Sequence, residues 1–170
     1  LFKYPVFNAD LVVSNLYQKD KSLFRKIKKK FPNKITNFPL KKKEVLEIIF
    51  QKQKNLNILG KIIHPIVRKK MKNFLKKNKK KKFVVLDVPL FLENKLNIKK
   101  DIIIFIEADK KKIRDKIKKR KNINLKLINI LRKNQIPIRL KRKKSTFFIK
   151  NNFISKTAKK NVKLILKKIK

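Results

Sequence analysis

Three strand-like runs in this chain each lead into an acid: YPVFNAD at 4 to 10, FVVLDVPLFLEN at 83 to 94 and DIIIFIEAD at 101 to 109. Acids are scarce, 10 Asp and Glu against 53 Lys and Arg, so carboxylates placed where apolar strands stop are poor candidates for solubilising decoration. In open parallel α/β sheets, ligands bind beyond the carboxyl ends of the strands. The pattern predicts an α/β enzyme whose remaining carboxylates mark a site.

A chain of 170 residues with 42% hydrophobic content suits one domain, with room for a small insertion, and can bury a core. The absence of cysteine excludes a disulfide scaffold, a thiolate nucleophile and a cysteine metal site. No apolar run approaches the roughly 20 residues needed to span a bilayer, and a soluble, cytoplasmic protein is expected. The net charge of +43 has two readings. Lysines and arginines gain affinity for nucleic acid by releasing counterions; alternatively, Lys, Asn and Ile dominate together as an A/T-rich coding sequence would produce, and surface positions have drifted to Lys. The second is preferred, which leaves only non-specific nucleic-acid binding, although either surface favours anionic ligands.

The single glycine, Gly60, and the single methionine, Met71, leave no glycine-rich loop within the sequence. Leu1 opens LFKYPVF, which reads as the tail of a helix running into a strand. A missing N-terminal segment before Leu1 is therefore expected.

YPVF at 4 to 7 is expected as a short strand, with Asp10 at the N-cap of a following helix. Residues 21 to 79 read as mostly helical, broken around FPNKITNFP, where Pro32 and Pro39 bracket a loop. Pro65 is expected to start a helix with His64 just outside it. FVVL at 83 to 86 and IIIFI at 102 to 106 are continuous apolar runs, as in strands covered on both faces. Helices follow at about 109 to 120 and 123 to 135, then a basic loop NQIPIRLKRKKS, a strand TFFIKN and a terminal helix from about 155. Strands alternating with helices predict a parallel sheet with right-handed crossovers.

Several residues could carry chemistry, each against a plainer role. Asp10 either caps its helix or acts at a site. Asp87, between FVVL and VPL, would be buried at a cost unless it met a metal, a cation or hydrogen-bond donors. Glu93 reads as a site residue or an ordinary surface acid, and His64 as catalytic or structural. Glu107 and Asp109 are expected to pair with lysines or cap the next helix. The seven arginines stand out among so many lysines, and Arg114, Arg120, Arg139 and Arg142 after the third strand suit a phosphate clamp.

Taken together, YPVFNADLVVSNLY, IIHPIVRKKM, VVLDVPLFLEN and KKIRDKIKKRKN, followed by NQ and FFIKNN, resemble dephospho-coenzyme A kinase, a P-loop kinase family related to the nucleoside monophosphate kinases. The resemblance implies a P-loop NTPase-like parallel sheet flanked by helices. It divides the chain into a nucleotide-binding core (1–16, 80–113 and 146–170), a helical substrate-binding insertion (17–79) and a helical lid (114–145). It implies transfer of the γ-phosphoryl of ATP to the ribose 3′-hydroxyl of dephospho-coenzyme A, with Mg²⁺, as the last step of coenzyme A synthesis. Another nucleotide or small-molecule kinase of this fold, or a basic RNA-binding protein, is the alternative.

By the same resemblance, Asp10 matches the acid that accepts the hydroxyl proton, and Asp87 the acid beside the phosphates and metal. His64, Arg68 and Glu93 match the substrate-binding part. Arg120 and Arg114 match lid arginines that approach ATP, and Asn151 lies near the expected adenine pocket. The sequence departs from the family in four ways. The GxxxxGK[ST] loop and its strand, roughly 20 to 25 residues by the size of a βα unit, are expected before Leu1, and the 170-residue form without them is expected to be inactive. Asn8 stands where an Asp is usual, Ile138 where a basic residue is usual, and Ser145 with Thr146 where Ala-Asp is usual.

Overall fold

The computed structural model describes residues 4–119 and 125–169. They form two compact units, Leu1–Pro89 and Leu90–Lys170.

The first unit opens with strand β1 (Val6–Asn8) and helix α1 (Ala9–Lys19), followed by α2 (Lys21–Lys30), α3 (Lys42–Gln51), α4 (Lys54–Lys77) and strand β2 (Val85–Asp87). β1 and β2 pair in parallel, with Val6 against Val85, Phe7 against Leu86 and Asn8 against Asp87. Side chains alternate across a strand, so Phe7 and Leu86 share one face. They meet Val67, Met71 and Phe74 of α4 there. The opposite face carries Val6, which is 54% exposed, and Val85. The expectation that FVVL is covered on both faces is therefore corrected: within this unit helix packs on the Phe7 side alone.

Between the strands the chain is helical, as the sequence predicts, and Pro32 and Pro39 fall in the irregular segment between α2 and α3. Leu23 and Ile27 of α2, Ile35 and Leu40 of the connection, and Ile48 of α3 are buried with almost no exposure. Buried aliphatic side chains of this size contribute about 1.5–3 kcal/mol each, so this cluster is the principal core of the unit. Asp20 starts α2 by accepting from the Leu23 amide at 2.9 Å, and Lys28, Lys29 and Lys30 finish it where cations oppose the helix dipole.

Pro65 does not begin a helix. It lies inside α4 with His64, although proline removes one backbone hydrogen bond and costs about 3 kcal/mol in a helix interior. Leu59 and Ile63 before it and Met71 after it are all buried. Their combined burial exceeds the local cost, and the helix runs through.

The second unit contains β3 (Ile104–Ala108), α5 (Lys110–Lys118), α6 (Leu125–Lys133), α7 (Ile138–Lys143), β4 (Phe147–Asn151) and α8 (Ser155–Lys168). β3 and β4 pair in parallel from Ile104 against Phe147 to Ala108 against Asn151. Ile149 and Ile165, on β4 and α8, are buried. Ile104 and Ile106 are exposed, the latter 61%, so IIIFI is not covered on both faces either. The basic stretch after α6, expected as a loop, includes the short helix α7.

Candidate active site

The ends of β1 and β2 bring the first group of functional residues together. Asn8 and Asp87 are in register, and the Asn8 amide nitrogen donates to Asp87 Oδ2 at 2.8 Å. The same side chain accepts from the Leu11 amide at 2.8 Å through Oδ1, which makes Asn8, and not Asp10, the N-cap of α1. Asn competes well for that position because its short side chain reaches the second or third helical amide. Asp10 sits in the first turn of α1, exposed, where the helix dipole favours an acid.

Asp87 is exposed, with its strand pattern half open to solvent. The expectation of a buried carboxylate is corrected: its face of the strand is the one that α4 does not cover. Its hydrogen-bond donor is a neutral amide. Asn8 therefore couples the helix that bears Asp10 to the acid on the neighbouring strand. Asn8→Ala is expected to lower stability by about 1 kcal/mol through the lost cap, read as a lower urea midpoint at unchanged slope.

His64 and Arg68 lie one turn apart on α4 and both are exposed. Partial desolvation of the imidazole, and then the Arg68 charge, hold its pKa below the ordinary 6.5. The ring is neutral at pH 7, offering a donor and an acceptor beside a permanent cation.

In the second unit Glu93 is drawn inward. Its Oε1 lies 2.9 Å from Lys141 Nζ, with the side chains 10% and 18% exposed respectively, and it accepts from the Ile136 amide at 3.2 Å. Burial raises the carboxyl pKa, but the hydrogen bond from Lys141, the backbone amides and the lysine charge outweigh it and leave the pKa below 4.5. Glu107 pairs with Arg142, an arginine where the sequence suggested a lysine. The two ion pairs fasten α7 at successive residues, so Lys141 and Arg142 are engaged within the protein. Lys141→Met is expected to cost about 2 kcal/mol, because it strands a largely buried carboxylate; chemical denaturation measures the loss.

Arg114 is exposed on α5, which Asp109 caps through the Lys112 amide at 2.9 Å, as expected of that acid. Asn151 closes β4, and its Oδ1 accepts from the Phe153 amide at 2.8 Å. Arg120 lies outside the described residues. Sequence reasoning missed the double role of Asn8 and the anchoring role of Glu93. For Asn8 the signal was present, since Asn three residues before the Leu11 amide is a cap pattern.

Parallel strands joined through helices, with acids at their carboxyl ends, are an α/β arrangement of the kind the P-loop kinases use. A family model described as dephospho-CoA kinase matches residues 2–156, and the chain belongs to that family. It is 33% identical over 150 residues to a dephospho-CoA kinase of Wolbachia pipientis wMel, covering 87% of this chain and 76% of that one. A dephospho-CoA kinase of Bartonella quintana (strain Toulouse) is 32% identical over 146 residues, covering 85% and 74%. Among solved structures, the dephospho-CoA kinase from Campylobacter jejuni superposes with a TM-score of 0.62 at 25% identity, covering 96% of this chain and 84% of that one.

Proposed function

We propose that this chain carries the acceptor side and lid of an enzyme that phosphorylates the ribose 3′-hydroxyl of dephospho-coenzyme A with ATP, the final step of coenzyme A synthesis. The observation that carries this reading is the family match across residues 2–156, together with an acid just after β1 and another at the end of β2.

In the proposed reaction, Asp10 takes the proton of the 3′-hydroxyl as that oxygen bonds to the γ-phosphorus and the bond to the β-phosphate oxygen breaks. The products are coenzyme A and ADP. Such transfers depend mainly on positioning and on neutralising charge. His64 and Arg68 would hold the acceptor, the arginine meeting phosphate and the neutral imidazole taking a polar group without repelling it. Arg114, Arg120 and Asn151 would meet ATP, and Glu93 would serve by holding α7 in place. The proposed division is a core (1–16, 80–113, 146–170), an acceptor region (17–79) and a lid (114–145), with the reaction in the cytoplasm.

Mg²⁺ commonly binds through one or two carboxylates, water and substrate phosphates. Asp87 fits that limited role: it is an exposed carboxylate with one oxygen engaged by Asn8, and no group of three or more acids, histidines or cysteines gathers among the described residues. When bound, the ion would neutralise phosphate charge. With one glycine in 170 residues, a phosphate loop of the family's form is not within this sequence.

The test is acceptor choice by the full-length protein with ATP. Dephospho-coenzyme A should be phosphorylated in preference to AMP, CMP and adenosine; preference for a nucleoside monophosphate would assign the chain a different acceptor.

A further inference from the structure

Gly60 is the only glycine of the chain and His64 its only histidine, and α4 places them at positions i and i+4 on one face. Glycine within a helix costs about 1 kcal/mol relative to alanine. Gly60 has no positive φ, so the backbone does not require it. A side chain at this position would instead press on a neighbouring ring. A Cβ at residue 60 would lie 3.2 Å from His64 Cε1, 3.5 Å from Nε2 and 3.6 Å from Nδ1, while carbon atoms pack best at about 3.5–4.0 Å. Three ring atoms at nearly equal distance mean that the imidazole turns its face to Gly60.

We propose that Gly60 is a positioning residue for His64: its bare α-carbon is the seat on which the imidazole rests, fixing where the ring points on α4. Pro65, the next residue, restricts the backbone of His64 from the other side. A pre-set ring loses less freedom when substrate binds, so the seat serves acceptor affinity more than the chemical step. That functional consequence rests on the proposed role of His64 in holding dephospho-coenzyme A.

The test uses full-length wild type, Gly60→Ala, His64→Ala and the double variant. With a single histidine, the ring Cε1 proton gives one unambiguous NMR signal. Wild type should show a strong nuclear Overhauser contact between that proton and the Gly60 α-protons, and Gly60→Ala should shift the ring signal. The same variant should be at least as thermally stable as wild type, because alanine is the better helix former. It should nevertheless raise KM for dephospho-coenzyme A several-fold with kcat little changed, and add nothing to the effect of His64→Ala. Absence of the contact in wild type, or additive effects on KM, would overturn the proposal. If His64→Ala leaves KM unchanged, the substrate role of His64 falls, and the Overhauser contact alone decides whether the seat exists.

Discussion

Asp10→Asn is expected to reduce kcat by about 10²- to 10⁴-fold, the range for loss of a positioned general base, with the fold intact. The substitution keeps size and shape in the first turn of α1 and removes only the capacity to take a proton. The cap is unaffected, because Asn8 supplies it. The remaining structural penalty is the lost interaction of a carboxylate with the helix dipole, about 0.3–1 kcal/mol. Steady-state kinetics of the full-length enzyme, paired with thermal unfolding, separate the two effects. Loss of kcat with an almost unchanged melting temperature supports Asp10 as the base. Full activity in the variant would leave proton removal to water or to Asp87.

Glu44→Ala is expected to destabilise the first unit by about 3–4 kcal/mol, the largest single effect on stability outside the apolar core. Glu44 is 9% exposed and collects three donors. Thr36 Oγ1 donates at 2.6 Å and the Thr36 amide at 3.2 Å, both to Oε1, while the Lys41 amide donates to Oε2 at 3.3 Å. Hydrogen bonds to a charged group contribute about 1.5–3 kcal/mol each, and stranding buried donors adds their desolvation. The contributions are not additive, which keeps the total below their sum. Glu44 thereby ties the start of α3 to the connection from α2, beside the fully buried Ile35 and Leu40.

The same residue sets a pH dependence. Burial raises its pKa, but the Thr36 hydrogen bonds, the Lys41 amide and the Lys41 charge outweigh that and leave it below 4.5. A carboxyl with a depressed folded pKa contributes stability that is complete above its unfolded value and lost as pH falls through the folded value. Glu93 has the same sign. His64 adds to it earlier, because its lowered pKa means that the unfolded chain takes up a proton first as pH drops below 6.5. Stability should therefore decline on acidification, gently from pH 6.5 and steeply below 4.5. In Glu44→Ala the steep limb should shrink, as measured by urea unfolding across that range.

The outline of the fold was legible because apolar runs and helix punctuation are local signals. FFIKN, the strand β4, and the helix from Ser155 stand where the sequence places them. The loop around FPNKITNFP was readable from its prolines. What failed depended on distant packing. Pro65 has the local chemistry of a helix boundary, yet buried neighbours on both sides carry α4 through it. The apolar runs around Val85 and Ile104 suggested two-sided burial, whereas exposure depends on which elements reach each face.

Site residues divide in the same way. Asp10 and Asp87 could be picked out from their position after apolar runs, since acids are rare in this chain. That Asn8 would hold Asp87 could not, because strands 79 residues apart must first pair in register. Glu93 illustrates the converse. Its partner Lys141 is one lysine among many, and only the folded chain distinguishes it.

The most direct measurement is ³¹P NMR of the product formed by the full-length protein from ATP and dephospho-coenzyme A. A new phosphomonoester resonance at the ribose 3′ position, appearing in step with ADP and absent in Asp10→Asn, is the predicted result. ADP and inorganic phosphate without that resonance, or phosphorylation at another hydroxyl, would contradict the account.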